Sequence, residues 1–342
     1  MEINFHGRRN SIHLCNDEAM KMFTTLIATL LAGSVLACDV CGSFFGVTPY
    51  DNQSGFSIQH RYRLFSKVDV QGQPFFPSGA YRVPQQVSAQ HVHGSSSLSK
   101  GDFESFKVVE LRGKWFVHQR VEINFILPFG MTRSVMGGEM EKINGFGDPT
   151  LSVGVHLIRP SDSDIKQRLI AGMGMKFPLG IDDVRMNDGE RFHLYMQPGT
   201  GTTDVMAYAQ YSIGFKRVGG ALNGSAKFNG INAYHEQLSP SFTGTANFFY
   251  VFRKGNTIIL PQVQFYGEYM DGLTISHVKQ SDSKMSLAMA GLGCDAYFGQ
   301  LGVHLSGQLP LIQFESNQTP GASLRAIVGL SWNINQQKFL IN

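Results

Sequence analysis

The chain has 342 residues, 16% of them charged, with 38 glycines, 26 phenylalanines and a formal net charge of +3. Charge falls well below the ~25% of soluble domains and glycine lies above the usual ~7%, while mean hydropathy is near zero. This balance excludes disorder, collagen and a bundle of membrane helices, gives no reason to expect nucleic acid as a partner, and demotes a soluble enzyme; four cysteines are too few to staple a fold of this length.

The chain opens with residues 1–19, whose Glu2, Asp17 and Glu18 suit no export signal; they read as an over-called start. Met20-Lys21-Met22 then leads into an apolar run ending at Ala37, the pattern of a signal peptide over residues 20–37. That run is too short to span a bilayer as a helix, which takes ~20 residues. Export predicts an oxidising compartment. Residues 38–54 then form a periplasmic segment carrying Cys38-x-x-Cys41. Two thiols at this spacing make half of a soft-metal site for Cu(I) or Zn(II), or a local disulfide. Val35-Leu36-Ala37-Cys38 reads either as a lipobox, with Cys38 lipidated, or as an ordinary cleavage site.

Beyond Pro49 the dominant signal is period two. In Phe56–Leu64, Phe56, Ile58, Tyr62 and Leu64 share one face, and Ser57, Gln59, Arg61 and Arg63 the other. Val121, Ile123, Phe125 and Leu127 oppose Arg120, Glu122 and Asn124. The same alternation sets Leu169, Ala171, Met173 and Met175 against Arg168, Gly172, Gly174 and Lys176. It recurs around Val263–Tyr269, Leu301–Leu305 and Leu324–Trp332. Strands are predicted over 55–65, 103–111, 115–127, 148–158, 166–178, 202–215, 219–230, 241–252, 257–270, 284–298, 300–309 and 321–333.

Many of these segments run longer than the ~5–6 residues of ordinary strands and match the ~9–11 that cross a bilayer at a tilt. Short turns, at Arg112-Gly113-Lys114, 159–162, 216–219, 253–256 and 299–300, alternate with long connections at 66–102, 129–146, 179–200, 232–240, 271–282 and 310–320. The fold class predicted is all-β, a closed antiparallel transmembrane barrel of about twelve strands over residues 55–333, with periplasmic turns, external loops and a tail over residues 334–342. The longest connection, 66–102, is expected to gate the mouth.

Three stretches carry a family likeness: Cys38-Asp-Val-Cys41-Gly42, Val109-Glu-Leu-Arg-Gly-Lys-Trp-Phe116 and Asn144-Gly-Phe-Gly-Asp148-Pro-Thr-Leu-Ser-Val153. Together they resemble a family of exported outer-membrane β-barrel transporters related to the outer-membrane family of the meta-pathway of phenol degradation. The resemblance covers most of residues 38–333. It implies an outer-membrane barrel and a transport role, and makes the Gly145–Asp148 stretch the entry to a strand. The chain departs from the family at Ser43, where a third cysteine is expected. As a phosphate loop, Gly145–Asp148 fails on context: no helix follows and no Lys-Ser/Thr closes it.

The inward face offers Arg61, Arg63, Arg120, Glu122, Arg168, Lys176, Glu268 and Arg325 as lumen-lining residues. If these meet water, the lumen is a polar path with a positive excess that favours anions. If they pair, Arg–Glu contacts plug a narrow interior. Cys294 reads as inward-facing near the periplasmic end of its strand, within reach of Cys38 and Cys41. His91 and His93 sit among glutamines and read as a hydrated loop before they read as metal ligands. His304-x-Ser306 has the spacing of outer-membrane phospholipases, but Gly307-Gln308 follows instead of Asn-Gly, and the pair faces the lumen. The function that follows is a monomeric channel or transporter for small solutes, not an enzyme, with membrane lipid as its surroundings. No cofactor is expected beyond a metal at Cys38 and Cys41. The alternative is a plugged barrel that anchors a metal- or partner-binding Cys-x-x-Cys segment.

Overall fold

The computed structural model describes residues 53–66, 81–82, 102–136, 138–160, 164–186, 189–280, 283–313 and 321–334. The signal peptide, Cys38, Cys41, His91 and His93 lie outside the described residues.

Twelve strands form one closed antiparallel wall. They are β1 (Gly55–Ser66), β2 (Phe103–His118), β3 (Val121–Met136), β4 (Thr150–Ile158), β5 (Ile165–Lys176) and β6 (Asp204–Phe215), followed by β7 (Val218–Phe228), β8 (Ser241–Tyr250), β9 (Thr257–Met270), β10 (Met285–Phe298), β11 (Leu301–Gln313) and β12 (Gly321–Asn333). Each pairs with its neighbours in sequence, and β12 closes on β1 from Gly55↔Asn333 to Ser66↔Gly321. Closure pairs every wall strand on both edges, as a span in lipid requires.

Most predicted bounds fall within two residues of the observed strands; the exceptions are β2, β3 and the upper end of β11. Arg112-Gly113-Lys114 is not a turn. β2 runs straight through it to His118, and the chain reverses at Gln119 and Arg120. Gly113 faces outward between Leu111 and Trp115, and its register partner Phe56 lays its ring over it, 3.5 Å from where a Cβ would stand. A turn-like tripeptide thus sits in mid-strand because a neighbouring aromatic covers the glycine. Likewise 129–146 is not an open loop. The lower half of β3 pairs with β4, while its upper half pairs with a return strand, Glu139–Phe146, and projects beyond the wall.

The outer surface carries the apolar half of each alternation. Leu292 is 70% and Met173 66% exposed, and Phe56, Ile58, Val153, Leu222, Phe248 and Leu330 are exposed in the same way. An apolar surface this continuous far exceeds the few hundred Å² a soluble monomer shows. Near the short-turn end Phe56 stands opposite Trp332, with Trp115 and Phe298 on the same rim, an aromatic girdle at an interface.

The interior is polar at its centre, with apolar clusters above and below. Phe249, Ile258, Leu260 and Tyr297 pack near the short-turn end. At the long-loop end Leu194, Leu238, Met270, Leu273 and Met285 form one cluster, and Ile143, Phe192 and Met196 another. Interior glycines admit large neighbours. A Cβ on Gly172 would lie 2.3 Å from Tyr208 Cζ, and one on Gly154 2.6 Å from its hydroxyl. These glycines let the Tyr208 ring lie flat against β4 and β5.

Candidate functional site

The connection between β5 and β6 folds into the barrel mouth. Its anchor is Asp148, just before β4. Asp148 Oδ1 accepts the Gly180 N–H at 2.9 Å, and Oδ2 accepts the Thr200 N–H at 2.8 Å, so one carboxylate ties both ends of the loop. Lys176 Nζ pairs with Asp148 at 2.9 Å and with Asp204 at 2.8 Å, and Lys227 reaches Asp204 at 3.2 Å. The Gly-Phe-Gly-Asp motif is explained by this knot: a Cβ on Gly147 would stand 2.6 Å from the Pro198 carbonyl, and one on Gly180 would meet the Gly147 backbone.

Within the loop, Gln197 binds Val184 N–H at 3.0 Å and donates to Val184 and Phe192 carbonyls. The short 3-10 turn Leu194–Met196 then carries Leu194 into the apolar cluster formed with Leu238 and Met285. Arg191 stacks 4.0 Å over Tyr234 and pairs with Glu236 at 2.6 Å, joining this loop to the next. In the loop beyond β9, Lys279 hydrogen-bonds Asp271 and holds its carboxyl below the usual range.

Among the described residues, two cavities lie in the lumen. The outer one lies under the inward loop, between Leu194, Gln197 and Thr200 above and Val108, Ile126 and Lys176 on the wall. The inner one runs along the opposite wall, past Asn223, Thr245 and Gln308 to Ser57, Tyr297 and Ser331 near the short turns. Arg61 lines both. The two cavities lie on opposite sides of the lumen, and Arg61 stands at the crossing between them.

At the crossing, Arg61 and Arg112 both hydrogen-bond Glu110, Arg112 Nε at 2.7 Å. Beside it, Arg63 Nη2 donates to Glu268 Oε2 at 2.6 Å, and Tyr266 donates to the same oxygen at 2.5 Å. Arg325 lies 4.2 Å over the Tyr266 ring and donates to Gln308, which donates to Gln264. Phe65, Leu287, Met289 and Ala322 pack around Tyr266 and fill this side of the lumen.

The sequence-derived residues fall into distinct places. Arg61 is at the crossing, Lys176 on the outer cavity and Arg325 on the inner one. Arg63 and Glu268 form the strut just described. Glu122 is buried on the β2–β4 wall, bound to His156 at 3.0 Å, Lys114 at 3.3 Å and Asn124 at 3.1 Å. Arg168 is buried on β5. Arg120 is not in the lumen: it is exposed in the turn after β2, because the reversal falls there and not at Gly113. Cys294 is not inward either. Period two from Met285 brings odd positions inward, and 294 is even; its register partners are Pro261 and the exposed Leu305.

Asp295 Oδ1 lies 2.5 Å from His304 Nδ1, and His304 Nε2 3.2 Å from Ser306 Oγ. The connectivity is that of a nucleophilic triad. It faces the inner cavity, though, where a bilayer lipid's ester does not reach.

No family model and no curated protein matches the chain. Its fold is similar to the crystal structure of an outer membrane channel from Pseudomonas putida F1, with a TM-score of 0.59 and 16% identity over 84% of this chain and 100% of that one. The fold is that of an outer-membrane barrel. The β domain of the Bordetella autotransporter BrkA aligns at a TM-score of 0.44 and 9% identity, covering 83% of this chain and 100% of that one. The NanC porin aligns at 0.39 and 8%, covering 82% and 100%. With its apolar belt, the barrel resides in a bacterial outer membrane.

Sequence reasoning found Glu122 and Glu268 but missed the other lumenal acids. Among the described residues, seven buried basic side chains (Arg and Lys) face eight buried acidic ones, Glu110, Asp204 and Asp295 included. The predicted positive excess is therefore absent from the interior as a whole. Continuous alternation over Val109, Leu111, Trp115 and Val117 was the signal that would have put Glu110 and Arg112 inside.

Proposed function

We propose that the barrel is a monomeric channel that passes small polar solutes across the outer membrane without chemistry. The observation that carries this reading is the pair of lumenal cavities that share Arg61 in their linings, one under the inward loop and one reaching the short-turn rim. Polar side chains line both, so they substitute for part of a solute's hydration, and the closed wall excludes lipid. The loop held by Asp148 narrows the external mouth. A solute moving between the two cavities passes Arg61, and the narrow twelve-stranded interior limits solutes by size. The family likeness to outer-membrane transporters agrees with this reading at the level of fold. The test is liposome swelling with the purified, heat-modifiable barrel and a graded set of neutral sugars. Swelling that falls off with sugar size supports the channel, and a folded barrel that admits none of them sinks it.

A further inference from the structure

We infer that the external rim of the wall binds the phosphate of a membrane lipid, held by Lys107, Arg133 and Lys142. All three are exposed. Lys107 shares the parity of the exposed Leu111 and Trp115 on β2, Arg133 that of Phe125 on β3, and Lys142 that of Met140 and Phe146 on the return strand, so each points out towards lipid. Arg133 and Lys142 are directly opposite in register, and Lys107, whose partner is Met131, is the diagonal neighbour of Arg133. Like charges directly opposite destabilise a strand pair, and diagonal neighbours stay within reach of long side chains. Three cations therefore converge on one point of the surface. Among the described residues no ion pair engages any of them, and Arg133 rests 5.4 Å from the centre of the Phe103 ring. The acids of these strands, Glu104, Glu139 and Glu141, take the opposite face. Exposed cations of the long loops differ: Arg185 lies 3.1 Å from Asp183, and Lys284 3.5 Å from Asp271.

Depth decides what an anion at this point belongs to. Trp115 marks the short-turn girdle; Lys107 lies eight residues along β2 from it, and Arg133 is level with Ser105, ten residues along. At ~3.3 Å per residue and a tilt of ~40°, the two stand about 20 Å and about 25 Å above Trp115. The apolar band of such a barrel is ~25 Å tall, so the cluster meets the headgroup layer of the external leaflet. Just below it, Phe129 and Phe146 pack edge to face at 5.1 Å, and Phe146 is exposed, an apolar surface for an acyl chain. A cation at the edge of hydrocarbon needs a counter-charge there. A lipid phosphate supplies it, accepting hydrogen bonds from one guanidinium and two ammonium groups while its chains cover the rings beneath.

The test is native mass spectrometry of the mature barrel in detergent, titrated with dimyristoyl phosphatidic acid. Dimyristoylglycerol, which lacks the phosphate, and inorganic phosphate are titrated in parallel. The expected result is phosphatidic acid held at least about ten times more tightly than dimyristoylglycerol, with that advantage lost in the triple variant Lys107→Gln, Arg133→Gln, Lys142→Gln. A second triple variant, Lys216→Gln, Arg217→Gln, Lys254→Gln, removes exposed cations at the short turns and should bind as the parent does. Both variants should keep the parent's heat-modifiable migration, since none of these side chains is buried. Equal binding of the two lipids overturns the phosphate site. Binding that the first variant retains, or that both variants lose alike, overturns the assignment to these residues. Inorganic phosphate that binds as tightly as phosphatidic acid overturns a lipid as the occupant.

Discussion

Arg63 and Glu268 stand 205 positions apart in the chain, yet Arg63 Nη2 donates to Glu268 Oε2 at 2.6 Å. Their strands, β1 and β9, are not neighbours in the wall; β10, β11 and β12 lie between them. The pair is a strut across the lumen, and Phe65, Tyr266, Leu287 and Met289 pack around it. It closes one side of the interior. In this arrangement Arg63 and Glu268 face inward but line neither cavity, whereas Arg61 lines both.

The strut predicts an asymmetric mutational response. Both side chains are nearly inaccessible, at 5% and 1%. Removing one leaves a buried charge without its counterion, which costs about 3 kcal/mol, whereas replacing both with apolar side chains of similar size is close to neutral. Glu268→Ala should therefore lower the temperature at which the barrel loses its heat-modifiable migration. Arg63→Met with Glu268→Leu should restore most of it. Equal losses in the single and double variants would show that the pair does not act as a strut.

Asp148 should control the inward loop without controlling the wall. It accepts the N–H groups of Gly180 and Thr200 and pairs with Lys176, so Asp148→Ala frees both ends of the loop together. Hydrogen bonds to a charged group contribute about 1.5–3 kcal/mol each, enough to raise the open population of the loop tenfold or more. Trypsin should then cut at the exposed Arg185 at least ten times faster than in the parent, with the wall still folded. An unchanged cutting rate would locate the anchor elsewhere, in the Gln197 clamp or the Leu194 cluster.

The wall was legible in the sequence because period two survives wherever lipid faces one side and water or packed polar groups the other. Leu169–Met175 and Leu324–Trp332 show this directly. Legibility failed where the inward residues were apolar too: Phe106 and Val108 of β2 point inward, which blurs the alternation, and Gly113 then looks like a turn. Missing that continuity misplaced Arg120 and hid Glu110 and Arg112. The pairings inside the barrel were beyond any local pattern, since Arg63–Glu268 depends on which strands face each other across the lumen. The inward loop was equally hidden. Gln197 and Asp148 act on it through backbone groups whose positions only the folded chain defines.

The two glycines beneath Tyr208 give a test of wall packing. A Cβ on Gly172 would stand 2.3 Å from the ring, so the buried Tyr208 side chain would have to move. Gly172→Ala should destabilise the barrel by about 1–3 kcal/mol, the range for overpacking. In a Tyr208→Ala background the same substitution should cost little, because the space is then empty. A cost that persists in that background would mean that β5 needs glycine for its backbone and not for the ring above it.

Cys294 gives the sharpest check on register, because one residue of slip would move it from lipid to lumen. On β10, Asp295 and Tyr297 are buried inside, while Leu292, on the same face as Cys294, is exposed to the outside. Pro261 and Leu305 flank the thiol on the neighbouring strands. In liposomes holding a variant with Cys38 and Cys41 changed to serine, a charged maleimide added on both sides should leave Cys294 unlabelled. Uncharged N-ethylmaleimide, which enters the bilayer, should label it, and unfolding in urea should expose it to both. Fast labelling by the charged reagent in the folded barrel would place the thiol in the aqueous lumen. It would shift β10 by one residue and turn Asp295, His304's partner, out into lipid, where an unpaired carboxylate is too costly to sit.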